Sequence, residues 1–193
     1  MTSFAFQPLF ELGHDDATSY RKLSGDFVGT ANLGDRRVLT IEAEGLSRLA
    51  AQAIRDVSHL FRASHLQQMR NILDDPDASD NDRFVALQML KNANVAAGMI
   101  LPSCQDTGTA IVVGKKGQYV VTLGDDEEAL SRGIQETYTT TSLRYSQMAP
   151  LTMYEEVNTK TNLPAQIELY ATSGDEYHFL FVTKGGGSAN KSL

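Results

Sequence analysis

The chain has 193 residues, of which 41% are apolar and 21% charged, with 15 Gly and 5 Pro; this suits one compact domain, residues 1–193, and excludes a disordered or fibrous chain. A formal net charge of −7 offers no basic surface for phosphates, so nucleic acid is excluded as a partner. No apolar run approaches the roughly 20 residues that cross a bilayer, and MTSFAFQPLFELGHDD has neither the basic nor the apolar region of a signal peptide; the expectation is a cytoplasmic protein with no membrane partner.

Residues 1–25 carry no sustained period. After them, DFVGTANLGDRRVLTIEAE predicts a hairpin over about 27–43, two strands joined at Asn-Leu-Gly-Asp. EGLSRLAAQAIRDVSHLFRA places Leu46, Leu49, Ala50, Ala53, Ile54, Val57, Leu60 and Phe61 at three- and four-residue spacing, which predicts an amphipathic helix. A second helix is predicted over SHLQQMRNILDD, broken after it by Pro76. A third starts near Ser79, where Asp82 completes a capping-box pattern, and runs through FVALQMLKNANVAAGM.

LPSCQDTGTA then leads into AIVVGKKGQYVVTL, β-branched on both sides of Gly-Lys-Lys-Gly and therefore predicted as a second hairpin, with Lys115 and Lys116 as solvated turn charges. DDEEALSRGIQETY predicts a helix whose first-turn carboxylates suit the macrodipole. LTMYEEVN is compatible with a short helix starting near Pro150. QIELYA and EYHFLFV alternate cleanly, with Ile167, Leu169, Tyr177, Phe179 and Phe181 on one face, and predict a third hairpin turning at Ser-Gly-Asp. The expected fold is α+β, a helical N-terminal half followed by antiparallel hairpins interleaved with helices.

Three stretches carry candidate chemistry. Cys104 is the only cysteine and cannot form an intramolecular disulfide, which leaves a free thiol, an inert apolar filler, an intermolecular disulfide partner or a ligand. Its neighbours Gln105, Asp106, Thr107 and Thr109 bring an amide, a carboxylate and two hydroxyls, unusual company for a filler. A nucleophilic role would need a base, yet His14, His59, His65 and His178 lie in unrelated contexts, His59 and His65 as surface or packing residues on helices. Asp106 is either a proton-handling group or a turn cap through Thr107 or Gly108. KGGGSAN is either an anion cradle of backbone N–H groups, with Ser188 as an N-cap, or a flexible tail. Arg144 in SLRYSQ is either solvated or a guanidinium that grips a carboxylate through two parallel hydrogen bonds.

LPSCQDTGTAIVVGKKGQ, SLRYSQMAP, NLPAQIELY and VTKGGGSANKS, in that order, resemble the signatures of class I fumarate hydratases, the iron–sulfur fumarases, and the resemblance extends to DDPDASDNDRFVALQMLKNANVAAG and EVNTKTNLPAQ. The alpha chain of L-tartrate dehydratase shares Cys-Gln-Asp-Thr-Gly, but the text around LRYSQ and NLPAQ looks more like fumarase. The resemblance implies reversible hydration of fumarate to (S)-malate at a four-iron, four-sulfur cluster held by three cysteines, of which Cys104 is the first. It further implies that the chain is an N-terminal fragment, that the other two cysteines and a C-terminal domain lie beyond it, and that the parent is a homodimer. By the same resemblance Gln105 and Gly187 contact substrate, Arg144 holds a substrate carboxylate and Asp106 handles protons, its direction as acid or base left open. A noncatalytic dicarboxylate-binding domain, with Cys104 a bystander, is the alternative from another class.

Overall fold

The structure is a computed structural model and describes residues 3–7 and 19–185. It is α+β: four helices among the described residues pack with two three-stranded sheets and a short two-stranded hairpin.

Strands β1 (Val28–Leu33) and β2 (Arg36–Glu42) form the predicted first hairpin, Val28 facing Ile41 and Leu33 facing Arg36. Helix α1 (Ala43–His59) follows directly and buries Leu46, Ala50 and Ile54 on one face, as the four-residue spacing requires. Leu60 and Phe61, expected on that face, fall beyond the helix end and are exposed. Helix α2 (Ala63–Asp74) ends before Pro76, and α3 (Asp80–Ala96) opens on Ser79, whose hydroxyl accepts from Asp82 N–H at 3.2 Å while the Asp82 carboxylate accepts from Ser79 N–H at 3.0 Å. The capping box is therefore complete.

The first sheet is completed by β4 (Val120–Leu123), parallel to β2. In the second, β3 (Thr109–Gly117) runs between β7 (Gln166–Thr172), parallel to it, and β8 (Tyr177–Lys184), antiparallel. Helix α4 (Asp126–Thr140) lies against α1 so closely that a Cβ on Gly133 would stand 2.0 Å from the Ser47 carbonyl oxygen. Two hydroxyls cross the same contact, Ser47 donating to Ala129 C=O and Thr137 to Ala51 C=O, each at 2.8 Å. The core fills the space between this helix pair and β2, β3 and β4, with Ile54, Val112, Leu130, Ile134 and Tyr138 fully buried.

Two of the three predicted hairpins are not formed, although the α+β class holds. Gly-Lys-Lys-Gly is the end of β3 rather than a turn, because both edges of that strand stay paired to its last residues, Gly117 with Thr172 and Lys116 with Tyr177. β4 then leaves for the other sheet. β7 and β8 do not pair with each other, since β3 lies between them; their connection crosses the end of β3, where Gly117, Gln118 and Tyr119 N–H donate to Glu176, Thr172 and Gly174 C=O. The short helix expected in LTMYEEVN is instead a hairpin, β5 (Met148–Pro150) with β6 (Glu156–Asn158). Its tip leaves Met153 and Tyr154 exposed, so no neighbouring surface stands ready to bury a helix there.

Lys116 is no solvated turn charge either. Its ammonium donates to Asp126 Oδ2 at 2.7 Å and Thr122 Oγ1 at 2.8 Å and lies over the Tyr177 ring, whose hydroxyl donates to the same carboxylate oxygen at 2.9 Å. Burial alone would raise the Asp126 carboxyl, but the hydrogen bonds from Lys116, Thr122 and Tyr177, with the Lys116 charge, hold it below the usual range. Burial and the neighbouring Asp126 charge push the Tyr177 phenol well up.

Candidate functional site

Cys104 sits in the loop between α3 and β3, and both ends of that loop are tied down. Ser103, just before it, donates its N–H to Ser58 C=O at 2.8 Å, at the end of α1, and its C=O accepts from Asn92 Nδ2 of α3 at 2.7 Å. At the other end Gly108 enters β3 with φ +58, and a Cβ there would lie 1.7 Å from the Lys184 carbonyl oxygen. Only glycine lets this loop close against the end of β8. Tyr138, buried in the core, shares its hydroxyl proton between Thr107 C=O at 3.0 Å and Gly108 C=O at 3.3 Å. Burial pushes that phenol up to about 12, so it stays a donor over the working pH range.

The thiol itself is exposed. Cys104 and Asp106 line one wall of a cleft of about 720 Å³ with Thr183 and Gly185, while Phe61, Leu66, Met69, Met89 and Leu90 from the ends and faces of α1, α2 and α3 form an apolar wall. Asp106 lies directly against Gly185, where a Cβ would meet its Oδ2 at 2.7 Å. The strand end that opens KGGGSAN is thus brought to the cysteine loop; Gly187 and Ser188 lie outside the described residues, as does His14. A second cavity of about 730 Å³, bordered by Arg21, Phe27, Arg48 and Phe179, contains none of the candidate residues.

Arg144 and Gln105 are exposed and do not line the cleft. Arg144 is nevertheless joined to the cysteine loop, because the Thr107 hydroxyl donates to its C=O at 2.9 Å and accepts its N–H at 3.1 Å. Asn162, fully buried, repeats the link: Nδ2 donates to Gly108 C=O at 2.8 Å, and Oδ1 accepts from Ser146 and Gln147 N–H, each at 3.0 Å. Three of the predicted motifs therefore meet here, and the fourth, in NLPAQ, supplies the clamp. His59 is a packing residue, fully buried with Nδ1 at 2.7 Å from Arg55 C=O; His65 stacks on Phe61 in the cleft wall, and His178 pairs with Glu176 on β8.

Tyr138, Asn162, Ser58 and Asn92 were not marked by the sequence, since each acts on backbone of a distant segment; Thr107 was marked only as a polar neighbour of Cys104 and a turn partner for Asp106, not for its bonds to Arg144. Asn162 carried the one available sign, its place beside Leu-Pro in a motif otherwise read for its strand. An exposed thiol beside a carboxylate has the donor chemistry of an iron ligand. Among the described residues no three His, Cys, Asp or Glu side chains stand close enough together to hold a metal ion.

Comparison with known proteins assigns the class: the matches are to fumarate hydratases. Residues 47–193 match the family described as "Fumarate hydratase (Fumerase)", and the chain belongs to that family. It is 56% identical over 189 residues to "Fumarate hydratase class I, anaerobic" of Escherichia coli strain K12, covering 98% of this chain and 34% of that protein. It is 55% identical to the aerobic class I enzyme of the same strain, over 98% of this chain and 34% of the relative. Against "Fumarate hydratase 1, mitochondrial" of Leishmania major the identity is 52%, over 100% of this chain and 36% of the relative. The chain spans about a third of the length of these relatives.

Proposed function

We propose that residues 1–193 are the N-terminal, cluster- and substrate-binding domain of a class I fumarate hydratase, a hydro-lyase that interconverts fumarate and (S)-malate, and that this domain is inactive alone. The observation that carries the proposal is the meeting of the Cys104–Gly108 loop, the Arg144 loop and the strand end at Gly185 in a chain more than half identical to class I enzymes. Cys104 would supply one of three thiolates to a four-iron, four-sulfur cluster, the others coming from a C-terminal domain of the same polypeptide. When bound, such a cluster supplies a Lewis-acidic iron for substrate oxygens.

The work of this chain's own residues is binding and orientation. The Arg144 guanidinium makes a charge-assisted, two-point contact with one carboxylate of the dianion. The Gln105 amide and the backbone at Gly187 contact the same substrate. Asp106 holds or gives up a proton at its carboxyl oxygens, in a direction set by the reaction's own direction. Phe61, Leu66, Met69, Met89 and Leu90 line the same cleft as Cys104 and Asp106 and make one side of it apolar. The parent is proposed to be a cytoplasmic homodimer; among the described residues no helix is long and apolar enough to cross a membrane.

The test uses the full-length polypeptide, reconstituted anaerobically with iron and sulfide. The expected result is hydration of fumarate, with cluster content and activity both lost in Cys104→Ala. A Cys104→Ala variant with full cluster and full turnover would overturn the ligand assignment. Dehydration of tartrate without comparable action on fumarate or malate would overturn the fumarase assignment, and dicarboxylate binding without turnover by the cluster-loaded protein would point to a binding domain.

A further inference from the structure

The groups that hold Arg144 in place lie on other segments. Among the described residues its exposed guanidinium has no hydrogen bond, and what the structure fixes is the backbone that carries it. That backbone is fixed by side chains rather than by a strand ladder. The Thr107 hydroxyl, on a residue only 5% exposed, both donates to and accepts from the Arg144 peptide groups. Asn162, held at φ +57, takes the Ser146 and Gln147 N–H groups on one oxygen and reaches back to Gly108 with its nitrogen. Thr109 adds a third tie through Gln147 Oε1 at 3.0 Å.

We propose that Thr107 and Asn162 are positioning residues: together they clasp the Arg144 loop to the Cys104–Gly108 loop and so fix where the guanidinium stands relative to the thiol and the Asp106 carboxylate. This rests on the roles proposed above for Arg144 and Cys104. A long, mobile cation discriminates substrates only if its base is fixed, because small misplacements of a gripping group cost disproportionate rate. A buried hydroxyl that donates to and accepts from one residue defines both distance and register, and little water competes for it.

Thr107→Val removes both bonds at nearly constant volume, and Thr107→Ser keeps them. In the reconstituted full-length enzyme Thr107→Val should lower kcat/KM for fumarate about tenfold, chiefly through KM, with Thr107→Ser restoring most of it. In an Arg144→Ala background the same Thr107→Val change should cost nothing further, a coupling that a purely structural role would not produce. Hydrogen–deuterium exchange over residues 143–148 should quicken in Thr107→Val and in Asn162→Ala and return to wild type in Thr107→Ser. Wild-type KM together with wild-type exchange in Thr107→Val would overturn the clasp, as would an equal loss of kcat/KM with and without Arg144. The exchange measurement needs no turnover, so a full-length protein that fails to hydrate fumarate would sink the proposed function while Thr107→Val still decides the clasp.

Discussion

The helix pair α1–α4 and the helix pair α2–α3 are built from similar numbers of apolar residues and end up in opposite states. α1 and α4 touch backbone to backbone at Gly133 and bury Leu46, Ala50, Ile54, Leu130, Ile134 and Tyr138 against the strands. α2 buries no residue fully, and α3 only Ala86, Ala93 and Ala96, while Phe84, Val85, Leu87, Met89 and Val95 stay exposed. Where α1 presents one apolar stripe, α3 is apolar around much of its circumference and can cover only part of it against α2. Apolar content alone therefore does not tell which helices build the core; the width of the stripe and a glycine at the crossing do.

The sharpest way to break this contrast is to truncate one aromatic from each pair. Tyr138→Ala should cost about 3–5 kcal/mol, as for other buried large-to-small changes, whereas Phe84→Ala, at 61% exposure, should stay within about 0.5 kcal/mol. Urea unfolding of this chain measures both, and comparable losses would mean that α3 is covered after all.

Next in size is the acid response of the Lys116–Asp126–Tyr177 group, which ties β3 and β8 to the start of α4. Asp126 titrates lower in the folded chain than in the unfolded one, so the stability it contributes is present above the ordinary carboxylate value of about 3.9 and is lost as pH falls through its folded value. Tyr177 is shifted the other way; its contribution is present below about 10 and disappears only as pH rises beyond that. Urea midpoints between pH 7 and pH 3 should fall less steeply in Asp126→Asn than in wild type, and unchanged steepness would remove the group from the acid response.

The smallest effect belongs to the outlying pair. Ser79→Ala removes the cap of α3 and should cost about 1 kcal/mol, visible as faster amide exchange in the first turn of α3 with little change around α1 and α4. Equal change in both regions would show that the two helix pairs unfold as one unit.

Every helix of the described residues was legible in the sequence, because period, caps and Pro76 are local signals. Strand partners beyond the first hairpin were not. Alternation in QIELYA and EYHFLFV shows which side of each strand is apolar, but nothing in it says that β3 will come between them, and Gly114 with Gly117 imitates a turn inside a strand whose two edges are occupied. The candidate site divides in the same way. Cys104, Asp106 and Arg144 stood out through residue type and motif, whereas Asn162 and the part that Thr107 plays were invisible because their partners are backbone groups up to 54 residues away.

The Cys104 loop is fastened across a seam. Ser103 at its near end is gripped by the last turn of α1 and by Asn92 of the outlying helix α3, while Thr107 and Gly108 at its far end belong with Tyr138 and the core. Cys104 and Asp106 are thus strung between an end bonded to both helix pairs and an end bonded to the core alone. A displacement of α3 toward or away from the cleft must either carry Ser103 with it or break the Asn92 bond, which makes one amide side chain a mechanical coupling between α3 and the thiol loop.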